Sequence, residues 1–410
     1  MTGFLQSIVT IVLFLGILGI LVVIHELGHF VTARLANVRV LEFGVGFPPR
    51  AKVLGQGRVH PQDAARHTEA LAAAAENARF DPDTYEALRE TGPPPGTLYT
   101  LNWLPIGGFV KLAGEDGNDA DDSRSFAAQR WITKMIILAA SVAMNVLLAF
   151  VIFAGIAWLA SPLMGIRFHE VVPGSPAEAA GLQPGDAIVA VDGERYQFIA
   201  GLTVLDGLRS RPGETVVLTV DSADGARRDV TVTLRDQAAI DAGQGALGIS
   251  QEAQPWEAYF DGATTSNSLP DAIAIGAEQT VGALGLILGG LGTLVSSVAA
   301  DPTAPPPVAG PVGIATQIGD VFWNAGPILT LYVAGILSAN LALVNILPFP
   351  PLDGGRMLMI TLKRLFGRRI SLRAEQLTYV VGMVFLFAFI LWVTGYDIIR
   401  SLTGGTLGAP

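Results

Sequence analysis

Long apolar runs alternate with polar stretches along this chain of 410 residues. Four of the runs have the length of about 20 residues that a helix needs to cross the hydrocarbon core of a bilayer. They cover roughly residues 4–30, 132–160, 328–349 and 377–396. The first run lacks the basic flank and the small-residue cleavage site of a signal peptide. The pattern therefore predicts four transmembrane helices, the first of which is retained.

A fifth run, residues 280–300, is also uncharged and long enough to span a membrane. Its five glycines disfavour a regular helix, because a glycine costs about 1 kcal/mol relative to alanine in a helix interior. We expect an amphipathic or partly embedded element at the outer face. Hydropathy alone leaves a fifth crossing open.

Basic residues orient the four predicted helices. Clusters of Lys and Arg follow the first run, open the second, and separate the third from the fourth. Their members are Arg34, Arg39, Arg50 and Lys52, then Arg130 and Lys134, then Lys363, Arg364, Arg368, Arg369 and Arg373. Because short cytoplasmic loops carry the excess of positive charge, we expect both chain ends and residues 161–327 outside the cytoplasm.

Composition agrees with a membrane protein. Half of the residues are hydrophobic, the mean hydropathy is +0.47, and 15% are charged, against about 25% in soluble domains. The chain has no cysteine, which excludes disulfides, cysteine nucleophiles and Cys-ligated zinc. Its formal net charge of −10 argues against a nucleic-acid partner.

Two Gly-rich apolar segments, 41–54 and 97–113, predict a pair of β-strands. An insertion at 56–96 separates them and contains the alanine-rich stretch EALAAAAENARF. That stretch has no apolar face, so we expect a solvated helix on the cytoplasmic side.

The stretch VVIHELGHF, residues 22–30, places ionisable side chains inside the first apolar run. His25 and His29 lie one turn apart on one helix face, and Glu26 adjoins them. This spacing is typical of two zinc ligands and a general base, and Gly28 leaves room for a close approach. The alternative is a buried pair of hydrogen-bonded histidines. Ionisable groups cost about 2.5–3.5 kcal/mol each within a membrane and mark function there, so the metal site is favoured.

A catalytic zinc takes three protein ligands, and the candidate for the third is Asp353 in NILPFPPLDGGR, residues 345–356. Prolines break the third apolar helix at this point. Broken backbone at membrane depth is tolerated only where it is buried in protein or lines a cavity. Asp353 is expected on the same side of the membrane as His29. A helix cap or an interfacial acid is the alternative role.

Residues 168–250 alternate short β-like runs with turn signals, and VVPGSPAEAAGLQPGDAIVAVDG, residues 171–193, resembles the core of a PDZ domain. PDZ domains bind extended peptides or C-termini by adding a strand to a sheet edge. A spacer that only restricts access to the membrane is the alternative.

HELGH in the first run, the PDZ-like module after the second, and NxxPxPxLDGG in the third together resemble the site-2 protease family of intramembrane zinc metalloproteases. Bacterial members such as the regulator of sigma-E protease are the nearest likeness. The resemblance implies an α-helical multi-pass membrane protein with four transmembrane helices, a membrane-associated β-hairpin and an inserted extracytoplasmic α+β PDZ-like domain. The expected segments are 1–55, the insertion 56–96, the hairpin region 97–130, the second helix 131–161, the PDZ-like domain 166–250, a linker 251–326 and the last two helices 327–410.

The same resemblance implies a set of site residues. Zn²⁺ would be held by His25, His29 and Asp353, with Glu26 as the catalytic base. Substrate binding would fall to Asn345, Pro348 and Pro350, and to Gly107, Gly108, Phe109 and Val110 of the hairpin segment PIGGFVKL. Asn145 matches a polar position of the family's second span, where packing and catalysis are both open roles.

The expected activity is that of a zinc metalloendopeptidase in the bacterial plasma (inner) membrane, with its active site toward the cytoplasm. Its partners would be the lipid bilayer and single-span membrane substrates such as anti-sigma factors or signal-peptide remnants. A catalytically silent scaffold that bears the PDZ-like module and a metal transporter are the alternatives. The single PDZ-like module departs from the sigma-E-type pattern and weakens any transfer of substrate identity. The insertion, which splits the hairpin region, departs from the family pattern as well and leaves the register of the hairpin open.

Overall fold

The computed structural model describes residues 2–77, 95–115, 122–201, 203–249, 256–301, 304–367 and 372–403. Five of the helices within these ranges are long and apolar enough to cross a membrane. They are α1 (Thr2–Leu35), α3 (Trp131–Leu159), α7 (Leu269–Ala300), α8 (Pro311–Ile346) and α10 (Leu372–Thr403). The four predicted runs fall within or at the end of α1, α3, α8 and α10.

The run at 280–300 lies inside α7, a continuous helix of 32 residues. The expectation that its glycines would prevent a regular helix is therefore wrong. A side chain added at any of the five glycines would meet nothing within 4 Å, so their presence reflects neither a turn nor a tight contact. An apolar segment whose surroundings offer no hydrogen bonds must satisfy its own backbone, and a helix does so whatever its glycine content.

Helix α8 is broken in its middle. Gly326 has a φ of 86°, which is outside the helical region, and Pro327 follows it. Proline lacks a backbone N–H and suits the first position of a helix, so the second half begins at Pro327, close to the predicted start at residue 328. The polypeptide then leaves the helix after Ile346 and enters α9 (Asp353–Phe366).

The predicted hairpin is present as β1 (Val40–Gln56) and β2 (Leu98–Leu112), which pair antiparallel. Both strands bend, since residues 42–45 are partners of 98–101 as well as of 108–111. Among the described residues, 108–112 pair with β1 on one side only, so they form an edge of this sheet. This edge strand faces the candidate site, whose cavity Phe109, Val110 and Leu112 line.

The insertion between the strands begins with α2 (Pro61–Asn77), so the part of EALAAAAENARF up to residue 77 is helical and the rest lies outside the described residues. Its first turns are anchored rather than free in solvent. Buried Asp63 pairs with buried Arg124, and Arg66 pairs with Asp122. The expectation of a solvated helix holds only for the exposed remainder of α2.

The described residues divide into two compact units. One contains a sheet of β3 (Ser161–Phe168), β4 (Ala187–Val191), β5 (Tyr196–Gln197), β6 (Thr215–Asp221) and β7 (Arg227–Thr233), in the order β5-β3-β4-β6-β7. Strands β8 (Trp256–Tyr259) and β9 (Thr264–Thr265) also pair with β3. Short helices α4 (Pro176–Ala179), α5 (Val204–Arg209) and α6 (Gln237–Asp241) accompany the sheet.

The other unit holds both histidines of HELGH, the hairpin and α9. Its core joins the end of α1 to the hairpin and to the start of α3, through buried side chains that include Ala33, Val40, Leu112, Phe126 and Ile137. Met357 and Ile360 of α9 pack against the same cluster. Burying this apolar surface fixes the four elements that carry the site.

Candidate metal centre

Two histidines one turn apart on α1 point into the protein. His25 and His29 are 6% and 9% exposed. Gly28 lies between them, and a Cβ added there would come within 2.6 Å of the Ala140 carbonyl oxygen and the Ser141 Cα. The backbones of α1 and α3 are thus in contact beside the histidines, which only glycine allows at this position.

Asp353 meets both histidines although it lies more than 320 residues away along the chain. Its Oδ2 is 3.0 Å from Nε2 of His25 and 3.2 Å from Nε2 of His29. One ligand atom from each of the three residues falls within 4.8 Å of the others. Asp353 is the first residue of α9, so the broken backbone before this helix delivers the carboxylate to the histidines.

The outer ring nitrogens of the histidines are held by α3. His29 Nδ1 lies 2.9 Å from the Ile137 carbonyl oxygen, which can only accept, so this nitrogen carries the proton and Nε2 keeps its lone pair. His25 Nδ1 lies 3.2 Å from the amide of Asn145, whose Oδ1 is buried without a partner. The oxygen and nitrogen of an amide exchange places by a flip, and the oxygen of the flipped Asn145 accepts a hydrogen bond from the Nδ1–H of His25. Both Nε2 lone pairs then face Asp353.

The Asp353 carboxylate receives one hydrogen bond from outside the trio. The Ser141 hydroxyl donates to its Oδ2 over 3.0 Å. Two nitrogen lone pairs and a carboxylate oxygen in this small volume repel one another unless a cation lies among them. Two imidazoles and a carboxylate fit Zn²⁺, and the bonds at the outer nitrogens are the support that metal-bound histidines require.

Glu26 lies beside this trio and faces the hairpin. Its Oε2 accepts a hydrogen bond of 3.0 Å from the backbone N–H of Val110, in the edge strand. The metal-binding trio, Glu26 and residues of the edge strand all line one cavity of about 210 Å³. Its lining residues are His25, Glu26, His29, Phe109, Val110, Leu112, Glu115, Phe126, Leu138, Asn345, Pro351, Leu352, Asp353 and Arg356.

The hairpin residues expected to bind substrate occupy different positions. Phe109 and Val110 line the cavity, whereas Gly107 and Gly108 do not. Gly107 has a φ of 84° and lies against Val22 and Phe47. Gly108 lies against the Gly44 carbonyl and Val23 of α1. The two glycines let the strand pass close to α1.

Of the residues in the NxxPxPxLDGG stretch that were expected to bind substrate, some line the cavity and others do not. Asn345 lines the cavity, with its Nδ2 at 3.5 Å from His25 Nε2. Pro350 packs against Gly382 of α10, and Pro348 is exposed. Neither of these prolines lines the cavity, where the structure places Pro351 instead.

Sequence reasoning gave no role to several groups that surround the trio, namely the Ile137 carbonyl, Ser141, Glu115 and Arg356. Ile137, Ser141 and Asn145 are four residues apart and so share one face of α3. That spacing is a signal, but in an apolar helix it does not distinguish a face that supports a metal from one that packs.

The fold and the site together define a membrane-bound zinc metalloprotease. Comparison with known proteins agrees. A model of peptidase family M50 matches residues 13–57 and 89–389, which is most of the chain. The chain belongs to this family, the site-2 proteases.

Three relatives illustrate the match. A Clostridium perfringens protein whose name describes a zinc metalloprotease is 28% identical over 379 residues, covering 92% of this chain and 95% of the relative. An Agrobacterium fabrum protein with a name of the same kind is 26% identical and covers 98% of each chain. The zinc metalloprotease RasP of Geobacillus kaustophilus is 25% identical over 96% of this chain and 98% of its own.

Proposed function

We propose that this protein is an intramembrane endopeptidase that cuts single-span membrane proteins or signal-peptide remnants within or near their apolar segment. One observation carries the proposal: the trio of ligands, a carboxylate suited to act as base, and a strand edge that no other described strand covers all face one cavity. The trio would be His25, His29 and Asp353, and the base would be Glu26.

Glu26 performs the proton transfers in this scheme. When bound, zinc lowers the pKa of a coordinated water and polarises the scissile carbonyl. The Glu26 carboxylate takes the proton of the attacking water and later delivers it to the leaving nitrogen. Burial beside the trio excludes bulk water from this step and strengthens its electrostatic interactions.

The edge strand would hold the substrate in an extended form. A transmembrane helix keeps every carbonyl within its own hydrogen-bond ladder, so a segment must unwind before it is cut. Pairing with residues 108–112 supplies replacement hydrogen bonds. Asn345 lines the same cavity and would offer its amide to the substrate backbone. Gly107 and Gly108 act indirectly, by letting the strand approach α1. Pro348 and Pro350 would act indirectly as well, by ending the helix before Asp353.

The membrane topology proposed is that of four crossings by α1, α3, α8 and α10 in a bacterial plasma membrane. Basic residues after α1, before α3 and between α8 and α10 support this orientation, which places the metal centre toward the cytoplasm. Residues 166–250 are then an extracytoplasmic PDZ-like domain, and α7 lies at the outer face. The chain has no cysteine, so single cysteines introduced at Gly289 and at Asp224 can be probed with an impermeant thiol reagent. Labelling of both from outside supports this arrangement.

Cleavage of a single-span reporter by the purified protein in detergent tests the activity, with bound zinc quantified in parallel. Glu26→Gln should bind zinc and cut nothing. Glu257→Gln is a matched control, because Glu257 has a side chain 57% exposed and lies outside the cavity. Wild-type cleavage that Glu26→Gln retains would refute the role of Glu26. A zinc-loaded wild type that cuts no single-span reporter would favour the silent scaffold.

A further inference from the structure

A second and larger cleft adjoins the catalytic cavity. It has a volume of about 970 Å³, and we call it the basic cleft. The two spaces adjoin one another, because four residues line both of them: Glu115, Phe126, Pro351 and Arg356. The rest of its wall comes from the start of α3, from α9 and from α10.

The basic cleft has a positive surplus in a chain whose net charge is −10. Its charged lining consists of four cations and two carboxylates: Lys134, Arg356, Lys363, Arg364, Glu115 and Glu375. Two of the cations are already neutralised, since Arg356 pairs with Glu115 and Lys363 with Glu375. The surplus therefore rests on the other two.

Lys134 and Arg364 have no carboxylate at ion-pair distance among the described residues. The Lys134 ammonium donates to the Ala127 carbonyl over 2.7 Å. The Arg364 guanidinium stacks over the ring of Trp131, 5.2 Å from its centroid. A carbonyl and an aromatic face orient a cation without cancelling its charge. Both side chains are thus held ready for an anion.

Glu115 lies three residues after the end of the edge strand at Leu112 and lines both the catalytic cavity and the basic cleft. Its Oε2 accepts the backbone N–H of Leu112 over 3.1 Å, and its Oε1 lies 2.5 Å from the Arg356 guanidinium. A polypeptide paired along residues 108–112 reaches Glu115 and then enters the cleft. Glu115 therefore occupies the position that a carboxylate of such a polypeptide would take.

We propose that the basic cleft binds an acidic segment of the substrate polypeptide next to the cleaved span, with Lys134 and Arg364 as its charge partners. Arg356 joins them when a substrate carboxylate replaces Glu115. This inference rests on the proposed function. The position of the cleft beside the catalytic cavity favours a polypeptide over an anionic lipid headgroup, because a cut chain must leave the cavity through an adjoining space.

The test compares two single-span reporters that differ only in a short segment on the cytoplasmic side of the span, rich in Asp in one and in Asn in the other. The readout is the ratio of their kcat/KM values, so each enzyme variant is its own reference. The wild type should prefer the Asp reporter roughly fivefold, the size that two surface charge pairs supply. Lys134→Gln combined with Arg364→Gln should bring the ratio close to one.

Two further variants sharpen the comparison. Arg130→Gln with Arg373→Gln removes the same charge from exposed sites outside the cleft and should keep the wild-type ratio. Lys134→Glu with Arg364→Glu should reverse the preference, in favour of a reporter with a Lys-rich segment. Equal cleavage of both reporters by the wild type, or an equal loss of preference in the Arg130 and Arg373 control, would overturn the proposal.

Binding separates this proposal from the proteolytic activity itself. Fluorescence anisotropy of the labelled reporters with the zinc-loaded Glu26→Gln variant should show tighter binding of the Asp reporter, whether or not the wild type cuts it. Binding preference without any cutting would support the cleft and refute the protease. The headgroup alternative predicts a different result: vesicles with phosphatidylglycerol would raise activity on both reporters equally, and the Lys134 and Arg364 variant would abolish that rise.

Discussion

The backbone N–H of Val110 donates a hydrogen bond of 3.0 Å to the carboxylate of Glu26, across 84 positions of sequence. The bond ties the candidate base on α1 to the edge of the hairpin. It also shows that this N–H points away from β1, toward the space that a substrate strand would enter. This hydrogen bond therefore fixes the position of the candidate base relative to the strand edge.

Replacing Val110 by proline removes that N–H. Proline is tolerated at a sheet edge where the N–H faces outward, so the hairpin should form and zinc should bind. Losing a hydrogen bond to a charged group costs about 1.5–3 kcal/mol, and kcat/KM on a single-span reporter should fall by roughly 10- to 100-fold. Val110→Ala keeps the N–H and should retain most activity. Equal losses in the two variants would show that the bond has no part in catalysis.

Asn145 should set the zinc affinity through His25. Asn145→Ala leaves His25 Nδ1 without its buried partner, and loss of such a support typically weakens metal binding about 10- to 100-fold. Asn145→Asp can still accept a hydrogen bond from the Nδ1–H of His25 and should bind zinc more tightly than the alanine variant. Competition with a chromogenic chelator measures both affinities. Asn145 has only a packing role if the two substitutions weaken binding alike.

The close contact at Gly28 predicts that alanine there lowers stability, which is the opposite of what helix propensity alone predicts. Gly28→Ala should lower the melting temperature and the bound zinc, because the added methyl group would collide with the backbone of α3 at 2.6 Å. Gly16 lies in the same helix with nothing within 4 Å of an added Cβ. Gly16→Ala should be neutral or stabilising by up to about 1 kcal/mol. Similar melting temperatures for the two variants would contradict the close approach of α1 and α3.

An acid-sensitive ion pair joins β6 to β7. Arg227 holds Asp221 through two hydrogen bonds of 2.6 and 2.8 Å and lowers the pKa of that carboxyl. A carboxyl whose folded-state pKa is depressed stabilises the fold above its unfolded pKa of about 3.9. This contribution disappears as the pH falls through the folded-state value.

Calorimetry of the wild type and Arg227→Gln should show this dependence. The variant should unfold at a lower temperature near neutral pH, and the gap between the two proteins should narrow as the pH falls below about 4. Arg209→Gln is a control, since Arg209 is exposed and makes no contact with Asp221. A gap that stays constant with pH would show that Asp221 is not the group that titrates.

The metal-binding trio and the hairpin could be anticipated from sequence because each depends on a local rule. The i, i+4 spacing in HELGH fixes two imidazoles on one face, and the two Gly-rich segments have the alternation of paired strands. The close approach at Gly28 follows from the same reasoning. Asp353 could be predicted as the third ligand because a helix that prolines break at membrane depth must be buried in protein or line a cavity.

What could not be anticipated depends on tertiary contacts. Helix propensity misjudged α7, because propensity measured in water does not apply where a backbone must satisfy itself. The partners of the histidines on α3 are a carbonyl and an amide in an apolar helix, which carry little pattern. Pro351 lines the cavity, whereas Pro350 packs against Gly382, which lies 32 positions later in the sequence. No local rule assigns that contact.

Helix α9 has a mechanical consequence for the enzyme. It is a rod of 14 residues, about 21 Å long at 1.5 Å per residue. Its first residue is Asp353, and its later turns carry Ile360, Lys363 and Arg364 in the wall of the basic cleft. Met357 and Ile360 pack this rod against the core shared by α1, the hairpin and α3. One rigid element therefore carries both a metal ligand and part of the cleft wall, and helix geometry sets the distance between them.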